Sequence, residues 1–66
     1  MTMQDFYRVI NPIEKIAIFN KSKRYFVFLG VAQDIPLELM NEVIENIATD
    51  CILGYGLTMT RIILTI

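Results

Sequence analysis

The residues able to do chemistry are few, and their types narrow what that chemistry can be. The chain has no histidine and one cysteine, Cys51, among its 66 residues. Without histidine there is no ordinary nucleophile–imidazole–carboxylate triad and no imidazole general base. Cys51 lacks the partner that would activate its thiol, and its place in an apolar stripe reads as a packed side chain. A lone thiol can form no internal disulfide and cannot close the tetrahedral cage of structural zinc. Gly54-Tyr55-Gly56 lacks the spacing of a phosphate-cradling glycine loop and reads as a turn. No cofactor motif is present, and the expected class is non-enzymatic.

Two charged constellations remain. Glu38, Glu42 and Glu45 are spaced i, i+4 and i+7, which on a helix is one face. Such a face could hold a hard cation or dock on a basic groove of a partner protein, in competition with nucleic acid. The same spacing is that of an ordinary solvated helix surface. At the other pole, Lys21, Lys23 and Arg24 precede Tyr25 and Phe26, so phosphates could meet the cations while bases stack on the rings. Arg8 or Arg61 would extend that patch. Edge lysines also protect a sheet from pairing, and three charges make a weak polyanion site unless an oligomer duplicates them. Net charge is −1, yet five acids and no bases lie between Asp34 and Asp50, against six bases and two acids elsewhere. The chain is electrically lopsided.

These groups must be positioned by short elements. Thr2 and Asp5 form a variant capping box ahead of Met3, Phe6, Tyr7 and Ile10, which fall on one helical face, so a helix is expected over residues 2–10. Asn11-Pro12 ends it. Residues 14–19 read as a strand, Asn20–Lys23 as a polar turn, and residues 24–32 as a strand rich in aromatic and β-branched residues. Together they make a hairpin. Both faces of the second strand are apolar, so both sides of the sheet are expected to be covered.

Residues 36–50 are expected to form an amphipathic helix. Pro36 suits its first position, and Leu37, Met40, Ile44, Ile47 and Cys51 make its stripe. The β-branched residues at 43, 44, 47 and 49 fit a rival pattern, one helical turn at 36–40 and then a strand from about residue 43. Residues 57–66 read as a final strand whose alternation changes phase, from Leu57 and Met59 to Ile62, Leu64 and Ile66. A bulge near Arg61 or burial of both faces would reconcile the two. The expected fold is α+β, one α-β-β-α-β domain over residues 1–66 with its helices on one face of a three-stranded, mostly antiparallel sheet. With the rival pattern the sheet has four strands.

Size and composition then bear on association. A chain this short buries only about 60% of the surface that its unfolded form exposes. Apolar residues are 55% of the chain, above the roughly 45–50% of soluble domains. With disulfide and zinc unavailable, a partner chain is the remaining means of stabilisation. A long apolar strand at 57–66 needs pairing, and a small sheet leaves one face bare, so self-association into a dimer or larger homo-oligomer is expected. The longest charge-free stretches, Tyr25–Gln33 and Cys51–Thr60, are well short of the roughly 20 apolar residues of a membrane span. With no basic region before an apolar run at the N-terminus and a lone cysteine, a cytoplasmic setting is expected.

In pattern, the chain resembles the short uncharacterised proteins of bacteriophages and mobile elements. The matching pieces are the opening Asp5-Phe6-Tyr7 helix, Lys15-Ile16-x-Ile18, Val27-x-x-Gly30, Asp34-Ile35-Pro36-x-Glu38-Leu39, Val43-x-x-x-Ile47 and the closing Ile62-Ile63-Leu64-Thr65-Ile66. Members usually show a strand after the Asp-Ile-Pro string, which speaks for the four-stranded alternative, although the long Cys51–Gly56 connection departs from the pattern. They share no activity, so no functional residues carry over. The resemblance implies a phage-like origin, in which small proteins disable a host system by binding it. The expected function is therefore an accessory protein that blocks a host protein, such as a component of host defence. The alternatives are nucleic-acid or nucleotide binding through residues 21–25 and a structural subunit of a phage assembly.

Overall fold

A computed structural model describes the backbone of residues 1–54 and 57–66, and the side chains of residues 1–49 and 61–66. The chain opens on a short helix, α1 (Met3–Val9), where Thr2 and Asp5 act as the sequence suggests. The Asp5 amide donates to Thr2 Oγ1 at 3.3 Å and the Thr2 amide donates to Asp5 Oδ2 at 3.2 Å. That reciprocal cap satisfies two donors that a helix end leaves open. Ile10 ends the helix in extended backbone (ψ 147°), just before Asn11-Pro12. The helix buries Met3 and Phe6 and leaves Tyr7 exposed.

Strands β1 (Lys15–Asn20) and β2 (Tyr25–Val31) form the expected hairpin, pairing antiparallel from Lys15↔Val31 to Asn20↔Tyr25. The register shifts between Ile18 and Phe19, where Phe28 is the partner of one and Phe26 the partner of the other. Val27 is the extra residue of this bulge. As a result Phe26 lies on the same face as Leu29, three positions on, where strict alternation would put them on opposite faces. Phe26 meets Phe19 edge to face, with ring centroids 5.2 Å apart.

The expected helix over residues 36–50 is not formed. A single 3-10 turn at Leu37–Leu39 is followed by an isolated bridge, Val43 to Thr2, and then by strand β3 (Asn46–Gly54). The reason lies in where the backbone donors go. The amides of Met40 and Glu42 reach back three residues, to Leu37 and Leu39, but the Ile44 amide donates to Met1 O at 2.8 Å and the Glu45 amide to Thr65 O at 2.8 Å. Partners elsewhere in the chain outcompete the helical ladder over a segment of β-branched residues with low helix propensity.

Strand β4 (Leu57–Thr65) pairs antiparallel with β3 in an unbroken register from Asn46↔Thr65 to Gly54↔Leu57, so no bulge interrupts it at Arg61. It also pairs in parallel with β1, Ile16↔Ile62 to Phe19↔Thr65. The sheet is thus four-stranded and mixed, in the order β2-β1-β4-β3, two hairpins joined along a parallel seam. The Cys51–Gly56 connection of the sequence belongs to strand β3 as far as Gly54, while the side chain of Cys51 and residues 55 and 56, where the sequence reads as a turn, lie outside the described residues.

Among the described residues the main buried cluster lies on the face that carries the helix. Ile16 and Ile18 of β1 and Leu64 of β4, all fully buried, meet Met3 and Phe6 of α1 and Ala32, Ile35 and Ile44 of the segment crossing from β2 to β3. That segment is pinned to the chain start, since the Met3 amide donates to Glu42 O at 2.8 Å and the Gln4 amide to Met40 O at 3.0 Å.

Candidate functional site

The basic turn sits at the end of the sheet where β1 and β4 finish and β3 begins. Asn20 organises it: its side-chain oxygen accepts from the amides of Ser22 and Lys23, both at 3.0 Å, and its carbonyl accepts from the Arg24 amide at 2.8 Å. Closing the turn puts Arg24 at φ 62°, in the left-handed region that glycine occupies without penalty. Lys21, Lys23, Arg24 and Tyr25 are all exposed. Tyr25 and Phe26, adjacent on a strand, point to opposite faces, so they form no common stacking platform. Arg61 does not extend the patch. It precedes Ile62, the partner of Ile16, and so lies at the other end of β1 from the turn.

The three acids are not on a common helix. Glu38 lies in the 3-10 turn, Glu42 follows that turn, and Glu45 leads into β3; all are exposed. Glu45 forms an ion pair with Lys21, so the two charged constellations meet through one member of each. Among the described residues no three His, Cys, Asp or Glu side chains gather to hold a metal ion.

Two further surfaces lie outside the charged constellations. The first is the helix-free face of the sheet. Alternation places Ala17 and Phe19 of β1, Phe26, Leu29 and Val31 of β2 and Ile63 of β4 on it. Ala17, flanked in register by Leu29 and Ile63, is 1% exposed, whereas Leu29 is 61% and Phe26 45% exposed. Lys15 and Arg61 stand at one end of this face and Asn46 and Thr65 at the other. Within the single chain this face of β2 is left uncovered.

The second surface is a cleft of about 410 Å³ between α1 and residues 33–40. Gln4, Tyr7 and Arg8 form its helix wall; Ile35, Leu37 and Met40 face them, with Gln33 at the edge. Arg8 thus belongs to the cleft and not to the basic turn.

The fold and these surfaces define a small α+β domain with one helix and a mixed four-stranded sheet, in which no described helix is long and apolar enough to cross a membrane. Compared with protein-family models, with curated proteins and with solved structures, the chain matches none.

Proposed function

We propose that this chain is a non-enzymatic accessory protein of the phage or mobile-element type, cytoplasmic, working as a homo-oligomer that binds and blocks a host protein. The observation that carries the proposal is the helix-free sheet face, where Phe26 and Leu29 stand exposed beside Phe19, Val31 and Ile63. An apolar patch with polar residues at its rim is the usual form of a protein-binding surface. Two such faces stack as a sandwich about 10 Å apart, which gives a small domain the second layer it lacks. The resemblance of Asp34-Ile35-Pro36-x-Glu38-Leu39 to phage proteins supports the accessory role.

Sedimentation of the purified protein tests the oligomer. A dimer is expected at micromolar concentration, and Leu29→Lys, an exposed change, should give a folded monomer. A monomeric wild type at about 100 μM sinks the oligomer. Affinity capture from host lysate with and without nuclease tests the role. A single stoichiometric protein that survives nuclease supports blocking; material lost on nuclease treatment moves the function to the basic turn. That second possibility has one observation in its favour, the left-handed Arg24, since backbone strain is often kept where a side chain has work to do.

A further inference from the structure

We propose that the cleft between α1 and residues 33–40 binds a small organic anion, an apolar body ending in a carboxylate. At about 410 Å³ the cleft falls within the roughly 300–1,000 Å³ of ligand sites. Its walls are apolar where Ile35, Leu37 and Met40 contribute, and Leu37 is 85% exposed at the mouth, a cost that a ligand body would remove.

The polar groups of the cleft all suit an anion. Arg8 carries its one charge, and among the described residues the only ion pair is Lys21–Glu45, so no described carboxylate is paired with the guanidinium. The nearest acid along the helix, Asp5, is drawn back toward the helix start by its bond from the Thr2 amide. Gln4 and Gln33 add side-chain amides, and no hydrogen bond among the described residues engages either. A guanidinium meets a carboxylate through two parallel bonds, which fixes orientation as well as charge. The walls are held in advance of any ligand. The Gln4 amide donates to Met40 O at 3.0 Å, tying α1 to the facing wall, and the Gln33 amide donates to Pro12 O at 3.0 Å. The cleft and the bare sheet face lie on opposite sides of the sheet, so neither proposal depends on the other.

The test is a titration of the ¹⁵N-labelled full chain with three probes, 4-phenylbutyrate, its neutral amide 4-phenylbutanamide, and inorganic phosphate. The expected result is saturable amide shifts confined to residues 4–8 and 33–40 with the carboxylate. Binding should be at least tenfold weaker for the neutral amide, with no localised shifts for phosphate. Arg8→Gln should weaken the carboxylate by a similar factor and Arg8→Lys by less, and Leu37→Ser should weaken carboxylate and amide alike. Both positions are exposed, so the amide spectrum should report a folded chain. Equal affinity for the amide makes the cleft merely greasy, equal affinity for phosphate makes it merely cationic, and no localised shifts make it empty space. Any of the three overturns the proposal.

Discussion

Lys21 and Glu45 form an ion pair across the end of the sheet, joining the β1–β2 turn to the residue that leads into β3. In the sequence they belong to opposite poles, the basic turn and the acid-only stretch. The fold folds one pole onto the other, because the Lys21 amide donates to Ile66 O and the Glu45 amide to Thr65 O, placing both beside the end of β4. The side chains are 55% and 46% exposed, so the pair is worth at most about 1 kcal/mol. Its consequence is for binding more than for stability, since Glu45 occupies a cation that a polyanion would need.

Glu45→Ala should therefore change folding stability by less than about 1 kcal/mol while strengthening retention on a single-stranded oligonucleotide. The slope of log affinity against log salt should steepen by about 0.7, the value for one further phosphate contact on a single strand. Chemical denaturation and salt-dependent fluorescence anisotropy read the two quantities. An unchanged slope would mean that the basic turn meets no polyanion, with or without its acidic neighbour.

Arg24→Gly isolates the strain in the same turn. A non-glycine residue at φ 62° costs roughly 1–2 kcal/mol, and the looser unfolded chain of the glycine variant gives part of that back. The variant should be more stable by up to about 1 kcal/mol, seen as a higher denaturation midpoint at constant m-value. If the arginine is kept for a polyanion, the same variant binds the oligonucleotide more weakly. Higher stability with unchanged binding would leave the strain without a function.

How legible this fold was depends on whether a segment's neighbours lie close in sequence. Thr2 and Asp5 are local, and the capping box was readable from their spacing. So was the β1–β2 hairpin, where a polar turn separates two strand-like runs. Residues 36–50 were not. Leu37, Met40, Ile44 and Ile47 repeat at a helical interval, but what decides the segment is remote: the Met1 carbonyl that takes the Ile44 amide and the β4 strand that pairs with Asn46 onward. The β-branched residues at 43, 44, 47 and 49 were the local sign of that outcome. The cleft was invisible for the same reason, since Arg8 and Leu37 come to line one cleft only through the path of the crossing segment.

The helix cap should make stability pH-dependent. Asp5 has its pKa lowered, first by the hydrogen bond from the Thr2 backbone and then by the Thr2 hydroxyl bond, with Arg8 a lesser contributor. A carboxyl whose folded pKa lies below its unfolded one stabilises the fold above the unfolded value and loses that contribution as pH falls through the folded value. Melting of wild type and Asp5→Asn should thus differ at pH 6 and converge at acid pH below the ordinary aspartate range. Thr2→Ala should cost about 1 kcal/mol at neutral pH. A gap that persists unchanged into acid would show that the charge of Asp5 plays no part.

Leu64→Ala probes the core and the oligomer together. Leu64 is fully buried on β4, opposite Ile18 along the parallel seam and opposite Ile47 on the other side. Truncating a buried leucine costs about 2–5 kcal/mol, and a core of this size rarely supplies more than about 3–5 kcal/mol. An isolated domain would then be largely unfolded at room temperature. A self-associating one draws stability from mass action, so its melting point rises with protein concentration. The expected result is a variant that is mostly unfolded by circular dichroism at low micromolar concentration and regains strand signal as concentration increases. Adding Leu29→Lys, which alone is expected to leave a folded monomer, should abolish that recovery. Loss of fold at every concentration would mean that the bare face contributes nothing to stability, and a variant as stable as wild type would mean that the core is not centred on the β1–β4 seam.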